Sequence, residues 1–249
     1  RDHDGQVLRA FPVAEGRWRL AADLDRIDPD FIAALLAYED ERFYQHPGVD
    51  PLALLRASRD SLFAGRIVSG GSTITMQLAR LLEPRERTLG AKLFQMLRAV
   101  QLELRYSKRE ILEAYLTLAP YGGNLEGVRA ASWAYFGREP DTLAIEQIAL
   151  LLALPQSPEA RRPDLRPEAA RQARGFVLDR LVDVGLARSG ASRDAALDPV
   201  PTRSGFPADA WHAAADLRAA RPEAHDIVST LDINLQRMVQ EELHLIKIM

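Results

Sequence analysis

The residues best suited to chemistry are the acids that end an apolar helix near the N-terminus. Asp28-Pro29-Asp30 is a helix start signal, and residues 31–37 follow without a charge. Helical spacing places Glu39 four residues after Leu35, so its carboxylate continues an apolar stripe. Removal from water there would make this carboxylate a usable proton acceptor near neutral pH. The alternative is an acid satisfied by a neighbouring Arg or by backbone amides at a helix end.

A second polar group runs from Gly70 to Arg80. The pair Gly70-Gly71 before Ser72 and Thr73 predicts a capped helix whose first backbone amides are free to bind an anion. Thr73, Gln77 and Arg80 share one helix face, which could hold a phosphate or pyrophosphate. The Gly-Lys-Ser/Thr ending of a nucleotide-binding loop is missing. An ordinary capped amphipathic helix is the alternative.

Two further patterns carry charge. Lys92, Gln95 and Arg98 form a polar ridge at three-residue spacing, which either neutralises a charged leaving group or is simply a solvated face. Between residues 52 and 68, Leu, Phe, Ile and Val residues alternate with arginines, a mixture suited to an anionic membrane surface. A plain amphipathic core helix explains the second pattern equally well.

Periodicity along the chain is mostly helical. The predicted helices are 29–41, 51–64, 72–83, 88–105, 107–117, 125–136, 144–153 and 167–185. Ser107 to Glu110 forms a capping box that restarts a helix. Strands are predicted only near the N-terminus, at 7–11 and 18–20. The prolines and glycine at positions 201–207 predict a linker.

Composition narrows the function classes. The 249 residues are 47% hydrophobic, enough for a core, and the net charge of -3 argues against nucleic-acid binding. Because the chain has no Cys, disulfides and thiolate metal sites are excluded. No apolar run is long enough to span a membrane. The chain begins at Arg1 without Met, so we expect an anchor or signal upstream of it.

The ordered motifs resemble one family. Glu39-Asp40-x-x-Phe43-x-x-His46-x-Gly48 and Gly70-Gly71-Ser72-Thr73-Ile74-Thr75-x-Gln77 are two of them, and Tyr106 to Leu116 is the third. Together they look like the peptidoglycan glycosyltransferase domain of class A penicillin-binding proteins. Met76 and Ala119-Pro120-Tyr121-Gly122-Gly123 most resemble the 1C branch of that class. The resemblance covers residues 1–200, and residues 201–249 look like a linker and the start of a transpeptidase domain, which is absent because no Ser-x-x-Lys motif follows.

The resemblance implies a mainly α, lysozyme-like fold with a short β element near the N-terminus. It implies an inverting polymerase that joins lipid II into β-1,4-linked glycan and releases undecaprenyl pyrophosphate, at the outer face of a bacterial cytoplasmic membrane. Glu39 would be the catalytic base. The expected substrate-binding residues are Asp40, Phe43, His46, Ser72, Thr73, Gln77, Arg80, Lys92, Gln95, Arg98 and Tyr115. Mg²⁺ or Mn²⁺ could assist at the pyrophosphate, although no dedicated ligand set is visible.

One position departs from the family's pattern. Its third motif commonly reads Arg-Lys-x-x-Glu, whereas this chain has Ala91-Lys92-Leu93-Phe94-Gln95. Gln95 can orient a phosphate by hydrogen bonds but carries no charge. This change leaves open a catalytically weak module that binds lipid II or envelope proteins. A lysozyme-like hydrolase is the other alternative, but it generally requires a second carboxylate, which Gln95 does not supply.

Overall fold

The structure, a computed structural model, describes residues 1–64, 71–86, 88–224 and 226–239. Residues 233–239 are helical up to the end of the described chain. The ten α-helices before them are α1 Pro29–Glu39, α2 Pro51–Ala64, α3 Ile74–Leu82, α4 Leu89–Glu103, α5 Lys108–Leu118, α6 Val128–Phe136, α7 Ile145–Ala153, α8 Pro167–Asp183, α9 Ala191–Ala195 and α10 Trp211–Ala220. Strands β1 Trp18–Arg19 and β2 Leu125–Glu126 pair in parallel. The predicted mainly α fold with a short β element near the N-terminus is confirmed.

Helix α7 lies at the centre of the core. Every residue from Ile148 to Leu154 is at most 2% exposed, so this charge-free part of the helix is buried all round. Helices α1 and α8 pack against it, and α1 contributes Phe31 and Leu35 to the same core. This packing fixes the C-terminal end of α1, where Glu39 lies.

The helix starts follow the predicted capping residues. Asp28 accepts a hydrogen bond from the amide of Asp30 at 2.8 Å, which begins α1. Ser107 and Glu110 form the predicted reciprocal capping box of α5. Thr88 caps α4 through the amide of Ala91. All eight predicted helices are present, with ends that differ by three residues or fewer.

The first residues of the sixth predicted helix form a strand instead. Leu125 and Glu126 form strand β2, and α6 begins only after Gly127. Gly127 has a φ of +86°, and a Cβ there would lie 2.6 Å from the carbonyl oxygen of Thr117. Because only glycine allows both features, the chain turns sharply at this residue. The prediction of a strand at 7–11 is wrong, since this extended segment makes a single bridge, from Arg9 to Ala208.

Residues beyond 200 pack against the N-terminal segment. The amide of Ser229 donates to the carbonyl of Arg1 at 3.0 Å, and Leu8, Ala210 and Ile233 form a small apolar cluster of their own. Neither α9 nor α10 was predicted, because both are short and Ala-rich and lack a clear apolar stripe. A domain boundary near residue 200 stays a prediction, and residues 240–249 lie outside the described ranges.

Helix α4 carries an apolar stripe that faces solvent. Leu89, Leu93, Leu97, Val100 and Leu104 are all exposed, from 37% for Val100 to 92% for Leu89. In the described part of the chain, no helix is long and apolar enough to cross a membrane. The predicted lipid-facing surface at 52–68 is only partly described, because residues 65–70 lie outside the ranges given above.

Candidate active site

Glu39 is held by two neutral amides. Its Oε2 accepts a hydrogen bond from Gln77 Nε2 at 2.8 Å, and its Oε1 accepts one from Gln156 Nε2 at 3.1 Å. Gln77 comes from α3, and Gln156 from the turn Leu154–Gln156 that follows α7. Glu39 is half-buried, and no cation among the described residues pairs with it. The alternative in which an Arg satisfies this acid is therefore not seen among the described residues, and the carboxylate is fixed in place by amides and partly open to solvent.

Protonated phenols surround the carboxylate. Tyr115 donates from its hydroxyl to Gln77 Oε1 at 3.3 Å, which orients the amide that holds Glu39. Burial, and secondly the charge of Glu39, raises the pKa of both Tyr115 and Tyr121. Burial also raises the pKa of Tyr38. The carboxylate is therefore the acceptor in this group, and the phenols keep their protons.

Asp40 has a different role from Glu39. It is 7% exposed; its Oδ1 bonds to His46 Nε2 at 2.9 Å, and its Oδ2 accepts from the amide of Ile74 at 2.9 Å. Thr73 Oγ1 accepts from the amide of Met76 at 3.1 Å. These two bonds use the amides of Ile74 and Met76 in the first turn of α3, so those two amides are not free to bind an anion.

Phe43 and His46 are also internal. Phe43 is 1% exposed and lies 4.3 Å below the ammonium of Lys108, which donates to the carbonyl of His46 at 2.7 Å. Thr73, 2% exposed, donates to the carbonyl of Gly48 at 2.6 Å. In this structure Asp40, Phe43, His46 and Thr73 make internal contacts, and their expected contact with substrate stays a prediction. They hold the turn after α1 against the start of α3.

Positive charge gathers at one side of α3. Lys92 Nζ donates to Ser72 Oγ, and burial, followed by the charge of Arg80, lowers the pKa of Lys92. Arg80 itself is exposed. Among the described residues, neither cation makes an ion pair with an acid. Two such cations near each other favour an anionic ligand, because the ligand relieves their mutual repulsion.

The predicted ridge on α4 divides into two parts. Arg98 pairs with Glu83 at the end of α3 and donates to Gln101 Oε1 at 2.7 Å, so its charge is already neutralised. The expectation that Arg98 binds substrate stays a prediction, and it would require this pairing with Glu83 to be shared or exchanged. Gln95 is half-buried between Lys92 and Arg98. Of the ridge, only Lys92 joins the cation group.

The structure offers poor ligands for a divalent cation. Within the described ranges, Asp40, His46 and Asp50 bring three donor atoms within 4.8 Å of one another, as do Asp2, His3 and Asp4 near the N-terminus. In the first cluster, His46 bonds to Asp40, and Arg42 Nε donates to Asp50 at 3.1 Å. Those donors are occupied and an arginine lies on them, so they do not fit a metal that would assist a pyrophosphate.

Sequence reasoning missed Gln156. Its side chain is oriented by Arg161, whose Nη1 donates to Gln156 Oε1 at 3.2 Å and to the carbonyl of Ala153 at 2.7 Å. One signal was available: Pro155-Gln156 is the first polar break after the charge-free run of α7. A polar side chain placed at the end of a buried helix often serves a site, because the helix fixes its position.

Comparison with known proteins places this geometry in a family. The transglycosylase family profile matches residues 4–182. The chain belongs to the transglycosylase family. Penicillin-binding protein 1C of Escherichia coli is 41% identical over 238 residues, which are 96% of this chain and 31% of that protein. The predicted resemblance to class A penicillin-binding proteins, and to the 1C branch, is confirmed.

Other relatives of this transglycosylase domain are longer proteins too. Penicillin-binding protein 1A of Aquifex aeolicus is 42% identical over 168 residues, 67% of this chain and 23% of that protein. The chain thus spans less than a third of either relative. A crystal structure of penicillin-binding protein 1A from Haemophilus influenzae covers 96% of the chain at 18% identity and a TM-score of 0.46, a likeness too low to carry an argument.

Proposed function

We propose that this transglycosylase domain polymerises lipid II, the lipid-linked disaccharide-pentapeptide, into β-1,4-linked glycan and releases undecaprenyl pyrophosphate with inversion. The observation that carries the proposal is the half-exposed carboxylate of Glu39, held by two neutral amides and no cation of the described chain. Such a carboxylate is free to accept a proton, because its negative charge is not committed to an ion pair. Family membership supports the same reaction class.

The attacking side needs only this carboxylate. Glu39 takes the proton from the 4-hydroxyl of the acceptor sugar while the oxygen forms a bond to C1 of the donor. Gln77 and Gln156 hold both carboxylate oxygens, which keeps Glu39 in one orientation for that transfer. Tyr115 fixes the amide of Gln77 and so supports Glu39 from behind.

The departing side needs positive charge. When the bond from C1 to the pyrophosphate oxygen breaks, the electron pair leaves with the pyrophosphate as an anion. Arg80 and Lys92 supply charge for it, and Ser72 is placed against Lys92 to join the same contact. Gln95 would add hydrogen bonds but no charge. No step is assigned to a metal, since the donors of Asp40, His46 and Asp50 are committed to partners in the protein.

The membrane surface and a transpeptidase domain complete the proposal. We place the exposed apolar stripe of α4, four leucines and Val100, against lipid, because five apolar side chains on one face favour an interfacial position. The lipid-linked substrate would then reach Lys92, on the same helix, from the bilayer. We further propose that the longer protein works at the outer face of the bacterial cytoplasmic membrane, with the growing glycan strand passing to a transpeptidase domain.

Glycan chain length on a gel tests the reaction. The protein is incubated in detergent with labelled lipid II, and the Glu39→Gln variant is assayed in parallel. Glu41→Gln is the matched control, because its exposed carboxylate lies two residues from Glu39. We expect polymer from the parent and the control, and a loss of about 10²-fold or more with Glu39→Gln. Equal polymer from Glu39→Gln would overturn the assignment of the base.

Gln95→Glu separates the alternatives. No polymer from the parent but polymer from Gln95→Glu would mean that the natural site is impaired. Shortening of added glycan would indicate a hydrolase. Binding of lipid II without any turnover by either protein would favour the binding module.

A further inference from the structure

A cavity of about 530 Å³ lies away from Glu39, between the N-terminal segment and the residues beyond 210. Its wall is mainly apolar and includes Leu8, Phe11, Leu20, Ala214, Leu217 and Leu231. None of the residues that hold Glu39, and neither cation beside Ser72, lines it. The volume is in the range of small-molecule sites.

Arginines dominate the charges on its wall. Three of the five already have acid partners: Arg1 pairs with Asp226 at 2.6 Å, Arg19 with Glu126 at 2.7 Å and Arg129 with Glu139 at 2.8 Å. Arg9 and Arg218 are the other two, and neither makes an ion pair with the described residues. Glu223, exposed at the rim, is the remaining acid of the wall. The cavity therefore has an excess of positive charge.

Arg9 is the more informative of the two. Its Nε and Nη1 are buried, and neither has a hydrogen-bond partner within the described structure. Its guanidinium stacks 3.7 Å from the ring centroid of Trp211 and 5.2 Å from that of Phe11, while Arg218 lies 5.5 Å from Phe11. Aromatic faces hold a cation in place but accept no N–H bond as a carboxylate does. Since no acid among the described residues neutralises Arg9 or Arg218, the charge of both arginines attracts an anion into the cavity that they line.

We propose that this cavity binds an amphiphile with one anionic oxygen head, a carboxylate or a phosphate monoester, and a medium-length apolar body. The head would pair with the guanidinium group of Arg9 where it lines the cavity, with Arg218 adding charge. The body would lie along the leucines and Phe11. This binding is separate from the proposed glycosyl transfer, because it uses none of the residues assigned to that reaction.

Isothermal titration of the 249-residue chain with decanoate, decanol and inorganic phosphate tests both halves of the ligand. We expect decanoate to bind with one-to-one stoichiometry, and decanol and phosphate each to bind at least about tenfold more weakly, because each lacks one half of the contact. Arg9→Gln should weaken decanoate by about tenfold, and the matched surface change Arg180→Gln should leave it unchanged. If phosphate binds as tightly as decanoate, the proposed apolar contact is overturned. If decanol binds as tightly as decanoate, the proposed contact with an anionic head is overturned.

A second variant protects the test against misfolding. Ala214→Phe fills the cavity without altering any charge, so it should abolish decanoate binding while circular dichroism stays that of the parent. The exposed leucines of α4 offer decanoate a second, non-specific binding surface. Binding that is unchanged in both Arg9→Gln and Ala214→Phe would assign the signal to such a surface and overturn the proposal.

Discussion

Replacing Gln156 tests whether the fixed orientation of Glu39 matters to the rate. Gln156→Ala removes one of the two amide donors to the carboxylate and leaves the 2.8 Å bond from Gln77. A hydrogen bond to a charged group contributes about 1.5–3 kcal/mol, and the 3.1 Å length and partial exposure place this one at the lower end. About 1.5 kcal/mol of transition-state stabilisation corresponds to a roughly tenfold lower kcat.

Initial rates of lipid II polymerisation over a range of lipid II concentrations give the answer. We expect kcat to fall and KM to change little, because Gln156 contacts the base and not the groups assigned to the pyrophosphate. Gln172→Ala, an exposed change on α8, is the control. An unchanged kcat, or a rise in KM alone, would refute the assignment of Gln156 as a positioning residue for Glu39.

Three further outcomes follow from single contacts. Gly48→Ala should lower the free energy of unfolding in urea by more than about 2 kcal/mol, because φ is +90° and the new Cβ would lie 2.7 Å from a neighbouring carbonyl; Gly175→Ala, with open space in a helix, should be neutral or stabilising. Because burial lowers the pKa of Lys92, this side chain loses its charge at a lower pH than an ordinary lysine, and the KM for lipid II should increase as the pH rises. Lys92→Arg should move that increase to higher pH; an increase at the same pH would mean that the charge of Lys92 does not bind lipid II. Arg129→Ala should cost about 3–5 kcal/mol in thermal unfolding because it strands Glu139, and part should return in the double variant with Glu139→Ala.

The helices could be predicted because their signals are local. Asp28, Thr88 and Ser107 cap helices by bonds within four residues, and the charge-free run of α7 indicates burial without knowledge of its neighbours. The start of α6 could not be predicted this way. It depends on the approach of Gly127 to a carbonyl of α5, a contact between distant parts of the chain.

The site was predicted less completely, for a geometric reason. Glu39 and Asp40 are adjacent in sequence, but Glu39 is the last residue of α1 and Asp40 follows it with a non-helical backbone (φ −161°, ψ 71°). One carboxylate therefore reaches Gln77 and Gln156, while the other turns inward to His46 and the start of α3. A motif read as a string of polar residues does not distinguish these two directions. The inward acid has its own consequence. Because Asp40 accepts from the amide of Ile74, it fixes α3 relative to α1, and α3 carries Gln77 to Glu39. The buried half of the motif therefore determines whether the exposed half is correctly placed for proton transfer.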